Sequence, residues 1–234
     1  MSGNVAPNII TDGLVFYVDV SNPKSYPGVG TIWSDLSKNT NNGTLINGPT
    51  FDKANGGSIV FDGVNDYVNF GDIINFERTD SFSINLWLKL GIKSVQIIIG
   101  KWINDGYEIF TINPGKIGWT LANTGGGVNQ IRIDSATNTF SNGEIFNLCV
   151  TYNGSSSSSG LLMYKNGSLL NTTSIYNNLT ANISNSHEFR IGANASTSPL
   201  YMVGNIFSSQ IYNRVLSPTE ILQNYNATKG RYGL

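Results

Sequence analysis

The sequence predicts an all-β protein, a two-sheet antiparallel jelly-roll sandwich with one short C-terminal helix. Three observations carry this prediction. Apolar residues recur with a period of two along most of the chain. Gly and Asn interrupt them at short intervals, where tight reversals need φ > 0. The residues that build helical bundles are scarce, whereas Asn, Gly, Ser and Thr make up about 43% of the 234 positions.

The strands follow in chain order. Leu14, Phe16 and Val18 alternate with Val15, Tyr17 and Asp19, which sets one apolar face against a core. Short apolar runs at Ser58 to Phe61 and Tyr67 to Phe70 come next. Phe82, Ile84, Leu86, Leu88 and Leu90 then alternate with Ser83, Asn85, Trp87 and Lys89, so Trp87 lies on the opposite face of an otherwise regular strand. Val95 to Lys101, Tyr107 to Ile112, Lys116 to Leu121 and Gln130 to Ile133 continue the series. Asp105-Gly106 and the Pro-Gly turn of Asn113-Pro114-Gly115-Lys116 separate three of them.

Asn142-Gly143 precedes Phe146, Leu148, Val150 and Tyr152, which again alternate with polar or small residues. Ser155 to Gly160 is low in complexity, and the apolar runs on either side make it a long hairpin loop within one domain. Asn166-Gly167 joins Leu161–Lys165 to Ser168–Leu170, the dipeptide most typical of a two-residue hairpin turn. Phe189 to Ala193 and Val203 to Tyr212 complete the strands. Ser217-Pro218-Thr219-Glu220 then supplies an N-cap, a proline at the first helical position and the capping-box glutamate, with Leu216 and Ile221 placed for a hydrophobic staple. Asn226 and Gly230 predict that this helix ends near Tyr225. The expected organisation is an arm over Met1 to Thr11, one domain over 12–226 and a tail over 227–234.

Composition excludes several functions. Lys plus Arg is 14 against 15 for Asp plus Glu, with no basic run, so the cationic footprint of a nucleic-acid binder is missing. The aliphatic runs are too short to span a bilayer. Cys149 is the single cysteine and reads as a small buried residue between Leu148 and Val150. The glutamates Glu77, Glu108, Glu144, Glu188 and Glu220 form no paired-carboxylate pattern on a strand, and His187 lacks a nucleophile-elbow partner. The expectation is therefore a protein that is not an enzyme, with no catalytic residues.

Several words resemble a known family. They are Asp12-Gly13-Leu14-Val15 with Asp19, Trp33-Ser34-Asp35-Leu36-Ser37 with Asn41-Asn42-Gly43-Thr44, and Gly56-Gly57-Ser58-Ile59-Val60-Phe61-Asp62-Gly63 with Asp66-Tyr67-Val68. Phe82-Ser83-Ile84-Asn85-Leu86-Trp87, Val150-Thr151-Tyr152-Asn153-Gly154, Tyr164-Lys165-Asn166-Gly167 and Ile211-Tyr212-Asn213-Arg214-Val215-Leu216-Ser217 follow in the same order. Together they resemble the laminin-G-like, concanavalin-A-like jelly-roll modules of bacterial and phage proteins. The opening Pro7-Asn8-Ile9-Ile10-Thr11, the word Ser25-Tyr26-Pro27-Gly28 and the ending Gln223 to Leu234 look like standalone modules of tailed phages, including those of marine cyanobacteria.

The resemblance implies a non-enzymatic virion structural protein: a capsid-surface decoration, a fibre or a tail component. Its expected partners are other virion proteins, copies of itself and cell-surface glycans. The N-terminus shows no basic segment followed by an apolar stretch, which fits assembly in the host cytoplasm and release by lysis. The arm and the tail are the expected assembly contacts. The alternative function is a lectin module acting in receptor recognition.

Two sites follow. Sugar binding uses exposed rings stacked on sugar faces, and Trp102, Tyr107, Trp119 and Tyr201 lie near turns or strand ends. Packing within the sandwich is the competing reading for each of them. Relatives often hold a structural calcium, and the resemblance places Asp19 as one ligand, with backbone carbonyls and a C-terminal aspartate as partners. The usual Gly-x-Ile-Asp-Glu word reads Gly204-Asn205-Ile206-Phe207-Ser208 here, so the acid is replaced by Phe207 and the site is weakened. Without the metal, Asp19 would cap the turn before Ser21-Asn22-Pro23. No other cofactor is expected.

Overall fold

The computed structural model describes residues 6–91, 93–113 and 115–234. Met1 to Val5 of the expected arm and Pro114 of the expected turn lie outside the described residues. In chain order the strands are β1 (Leu14–Asp19), β2 (Ile32–Trp33), β3 (Gly43–Ile46), β4 (Thr50–Asp52), β5 (Ser58–Asp62), β6 (Tyr67–Asn69), β7 (Ser81–Leu90), β8 (Gln96–Trp102) and β9 (Gly106–Asn113). They continue as β10 (Lys116–Thr124), β11 (Asn129–Ser135), β12 (Ile145–Asn153), β13 (Leu161–Lys165), β14 (Ser168–Leu169), β15 (Thr172–Asn178), β16 (Arg190–Ile191) and β17 (Val203–Tyr212). One α-helix, α1 (Pro218–Thr228), follows.

Two sheets face each other. Sheet one runs β14-β13-β12-β7-β17-β5-β4, with β1 also paired to β17. The long strand β17 explains this branch. One edge pairs with β7, while the other pairs with β5 over Val203–Ile206 and with β1 over Ser208–Tyr212. Sheet two runs β15-β11-β10-β9-β8-β16-β6-β3-β2. All pairings are antiparallel, as the alternation predicts.

The inward residues of both sheets form one core. Phe82 stacks on Phe76 at 4.1 Å and meets Trp119 edge-on at 5.8 Å, while Phe16 meets Phe70 and Phe189. Asn166 and Gly167 take φ of 51° and 79° between β13 and β14, the left-handed pair that this hairpin demands. Cys149 is buried against Tyr164, Tyr212 and Ile221 beneath α1, and burial pushes its thiol pKa well up.

The C-terminal segment departs from its prediction. The helix continues past Tyr225 to Thr228, into the segment expected as a tail, and a 3₁₀ turn follows over Lys229–Tyr232. Tertiary contacts outweigh the local preference of Asn here. Asn224 is buried, accepts from the Ile10 amide at 2.8 Å and donates to the Tyr212 hydroxyl at 3.1 Å. Tyr212 in turn donates to the Ile10 carbonyl, and Gln223 donates to that of Asn8, so the described part of the arm lies against α1. The outward face of sheet one is thereby covered. Trp87 packs under Tyr225 and Tyr232, and its indole N–H donates to Thr228 Oγ1 at 2.8 Å.

Candidate functional site

The expected aromatic platform does not form. Tyr107 and Trp119 lie on the inward face of sheet two, essentially without exposure, with ring centroids 6.4 Å apart in the core. The alternation of β9 and β10 points them inward, alongside Ile109 and Leu121. Trp102 points outward but is buried, with the turn at Gly125 over its ring. Tyr201 is half-buried before β17, where its carbonyl accepts from Lys93 Nζ at 2.8 Å. Sequence spacing could not separate these outcomes, because each ring was placed relative to turns and not to a core.

Asp19 does not suit a calcium ion. Its Oδ1 accepts from the amide and the hydroxyl of Ser21, at 3.0 and 2.7 Å. Its Oδ2 accepts from the Tyr17 hydroxyl at 2.9 Å and from Arg231 Nη1 at 2.7 Å. The carboxylate is thus saturated with donors, and Arg231 supplies the positive charge that an ion would bring. Phe207, standing where the second acid would be, packs on Tyr232 at 5.1 Å. The turn-capping reading of Asp19 holds through its bonds to Ser21.

The outward face of sheet two presents a different arrangement. Register sets one residue from each strand side by side: Tyr176, Arg132, Thr120, Glu108, Gly100, Arg190 and Asn69. These seven strands span roughly 30 Å at ~4.8 Å per strand. Glu108 occupies the centre. Ile109 and Tyr107 on either side face the core, so β9 must turn Glu108 outward. Its stem leans over Gly100, where a Cβ would come within 2.7 Å of its own. Its Oε2 is buried with no hydrogen-bond partner among the described residues. Desolvation raises its pKa to about 8, with Arg132 opposing that rise.

Two cation–ring pairs flank this centre. Arg132 lies 4.8 Å over the Phe110 ring and forks onto Asp134 at 2.7 and 3.0 Å. Arg190 lies 4.4 Å over the Tyr67 ring, donates to Glu188 Oε2 through two nitrogens and to the Asn194 carbonyl. Gln130 donates to Thr120, which donates to the Ile131 carbonyl. Tyr67 and Tyr176, both half-buried, close the two ends. Neither tyrosine was marked by the sequence. The only signal available was their outward parity beside Val68 and within a polar strand.

The other acidic candidates resolve as local structure. Asp80 caps the Glu77 amide at 2.9 Å, and Asp105 pairs with His187 at 2.9 Å beside the Gly106 turn. The directly opposed neighbours of Glu108 are Thr120 and Gly100, neither of which is an acid.

Two apposed antiparallel sheets, one backed by a helix and one with a polar outward face, define a lectin-type sandwich. A family model described as the concanavalin A-like lectin/glucanases superfamily matches residues 62–222, and the chain belongs to this family as a Laminin_G_3 domain. No curated protein matches the chain in sequence. Among solved structures, the binding domain of Paraclostridial Mosquitocidal Protein 1 superposes with a TM-score of 0.70 at 17% identity, over 92% of this chain and 52% of that one. The binding domain of Botulinum Neurotoxin DC in complex with SialylT gives 0.67 at 14%, over 93% and 52%. A Trypanosoma rangeli sialidase in complex with sialic acid gives 0.66 at 13%, over 97% and 36%. The chain thus spans about half the length of the toxin domains and about a third of the sialidase. The likeness is one of fold.

Proposed function

We propose that this chain is a non-enzymatic recognition module that holds a neutral, extended glycan along the outward face of sheet two, and that it works on a virion surface. The observation that carries the glycan reading is the cross-strand row from Tyr176 to Asn69, centred on Glu108, whose Oε2 has no hydrogen-bond partner among the described residues. Tyr67 and Tyr176 offer apolar rings to sugar faces, and Glu108 offers a carboxyl between them. Both arginines are already committed to carboxylates, which favours a neutral sugar over an acidic one. Recognition without hydrolysis accords with the neighbours of Glu108. A two-carboxyl mechanism needs a second acid about 5–9.5 Å away, and Asp134 and Glu188 on this face are both tied to arginines.

The test is a glycan array followed by titration calorimetry with neutral oligosaccharides and with sialyllactose. Binding of neutral chains, lost in a Tyr67→Ala/Tyr176→Ala double variant that still folds, supports the reading. Binding that survives this variant, or that is confined to sialylated glycans, overturns it. The virion setting is supported by the words shared with tailed-phage modules, and by an arm and C-terminal segment that lie together at one surface. Its test is mass spectrometry of purified particles, which should contain the chain at a fixed stoichiometry.

A further inference from the structure

Glu108 keeps only 7% of its surface exposed, and its Oε2 is buried without a hydrogen-bond partner among the described residues. The strands on either side explain this isolation. On β8 the neighbour is Gly100, which has no side chain to offer. On β10 it is Thr120, whose hydroxyl already donates to the Ile131 carbonyl at 3.0 Å and accepts from Gln130 Nε2 at 2.8 Å. Arg132 and Arg190 each stand two strands away, roughly 10 Å at the usual strand spacing.

The charged groups around Glu108 are engaged elsewhere. On β11, Arg132 forks onto Asp134, which also meets Lys116 of β10 at 3.2 Å. Arg190 of β16 donates to Glu188. Lys101 of β8 stands opposite the inward Tyr107 and pairs with Asp72. At the foot of β9, Asp105 pairs with His187 at 2.9 Å. A carbonyl oxygen can stay in the place of Oε2 at modest cost, whereas a carboxylate oxygen without donors cannot. At neutral pH the side chain is therefore an uncharged acid, with Oε2 as its carbonyl oxygen and the proton on Oε1. The burial that raises its pKa to about 8 agrees with this.

We propose, resting on the glycan reading of this face, that Glu108 acts as a hydrogen-bond donor and selects neutral glycans carrying an acetamido group, whose carbonyl oxygen accepts from Oε1–H. A sugar hydroxyl can donate to a carboxylate or accept from an acid, so it pairs with either form of Glu108. An amide carbonyl only accepts, so it pairs with the acid alone. The N–H of the same trans amide points the opposite way, and a sugar seated with its carbonyl on Glu108 does not present that donor to it. Phe110, the next outward residue of β9 at roughly 7 Å along the strand, lies over Gly118 and gives the acetamido methyl an apolar neighbour. Recognition then follows the proton: it is full below the folded pKa and fades as the carboxylate forms.

An array of neutral oligosaccharides in matched pairs tests this, with glucose and galactose oligomers printed beside their N-acetylglucosamine and N-acetylgalactosamine counterparts. The acetylated member should bind about tenfold more tightly at mildly acidic pH, the worth of one well-placed hydrogen bond. Its affinity should fall by about tenfold one pH unit above the folded pKa, where about a tenth of the chains keep the proton. Glu108→Gln should abolish that pH dependence, whatever its own affinity. Carboxyl ¹³C NMR of the glutamate-labelled wild-type chain gives a readout that needs no sugar: one glutamate should titrate near pH 8, and its signal should be missing from Glu108→Gln. Equal binding of both members of each pair, or acetamido binding that ignores pH, overturns the proposal and leaves the glycan reading standing. Binding of no neutral glycan at either pH overturns the glycan reading and the proposal with it. Glutamates that all titrate in the ordinary carboxyl range overturn the uncharged acid, and so the proposal, independently of any sugar.

Discussion

Arg231 reaches across 212 residues of sequence to donate to the carboxylate of Asp19 at 2.7 Å. The contact joins the C-terminal 3₁₀ turn to the end of β1. It also positions Tyr232, whose ring covers Trp87 at 4.3 Å. Asp19 is almost fully buried, while the Arg231 side chain is about two-fifths exposed. Arg231→Ala should therefore destabilise the fold by about 1–3 kcal/mol, because the buried carboxylate keeps its Tyr17 and Ser21 hydrogen bonds but loses its one charged donor. Denaturant unfolding checks this, with Arg231→Lys expected to lie between the two. Calcium added to the wild-type chain should not move the unfolding midpoint.

Glu108 predicts a pH effect of unusual sign. Its folded pKa of about 8 lies above the ordinary carboxyl value of 4.5. The folded state therefore binds more protons than the unfolded state between those values, and stability falls as pH rises through that window. Glu108→Gln removes the penalty. The variant should match the wild type near pH 4.5 and exceed it progressively towards pH 8, on the order of 2–4 kcal/mol at the top of the window. Parallel melting curves for both proteins that stay equally separated across this range would contradict the burial of an ionisable carboxyl here.

The start of α1 predicts the opposite slope. Glu220 is held down to about 2, chiefly by its hydrogen bonds with Arg214 and secondarily by the Ser217 cap, against desolvation. Its contribution to stability is present above the unfolded carboxyl value near 4.5 and disappears as pH falls towards about 2. Ser217→Ala should cost about 1 kcal/mol at neutral pH. Glu220→Gln should flatten the acid limb of the stability curve. Because the two side chains form one capping box, the double variant should cost less than the sum of the singles.

Two aromatic substitutions separate the core from the proposed surface. Trp119→Ala empties a fully buried site and should cost about 3–5 kcal/mol in unfolding experiments. Tyr67→Ala removes a half-buried ring on the outward face. It should weaken neutral-glycan affinity by about tenfold, the equivalent of roughly 1.4 kcal/mol, with a much smaller loss of stability than Trp119→Ala.

The core strands were legible because one face of each is apolar and the other is not. Phe82 to Leu90 and Phe146 to Tyr152 carry that signal, and both are central strands of sheet one. Strand β15 carries no such signal. Polar residues on both faces of Thr172–Asn178 leave no alternation to read. Strands β2, β3 and β4 are two to four residues long, below the length at which a period can be seen. Trp87 gave a partial clue. A tryptophan on the outer face of a regular strand implies a cover, but its partners Tyr225, Thr228 and Tyr232 lie far along the chain. The site was less legible than the fold. The row around Glu108 exists only through cross-strand register, which joins residues 8 to 121 positions apart, whereas local spacing relates acids and aromatics only to their near neighbours in sequence.

The joining of the arm to α1 also sets a direction. Asn8 and Ile10 are bonded to Gln223, Tyr212 and Asn224, so both ends of the described chain lie on the sheet-one side of the sandwich. A tether to either of these segments would leave the outward row of sheet two, on the opposite side, facing away from the point of attachment.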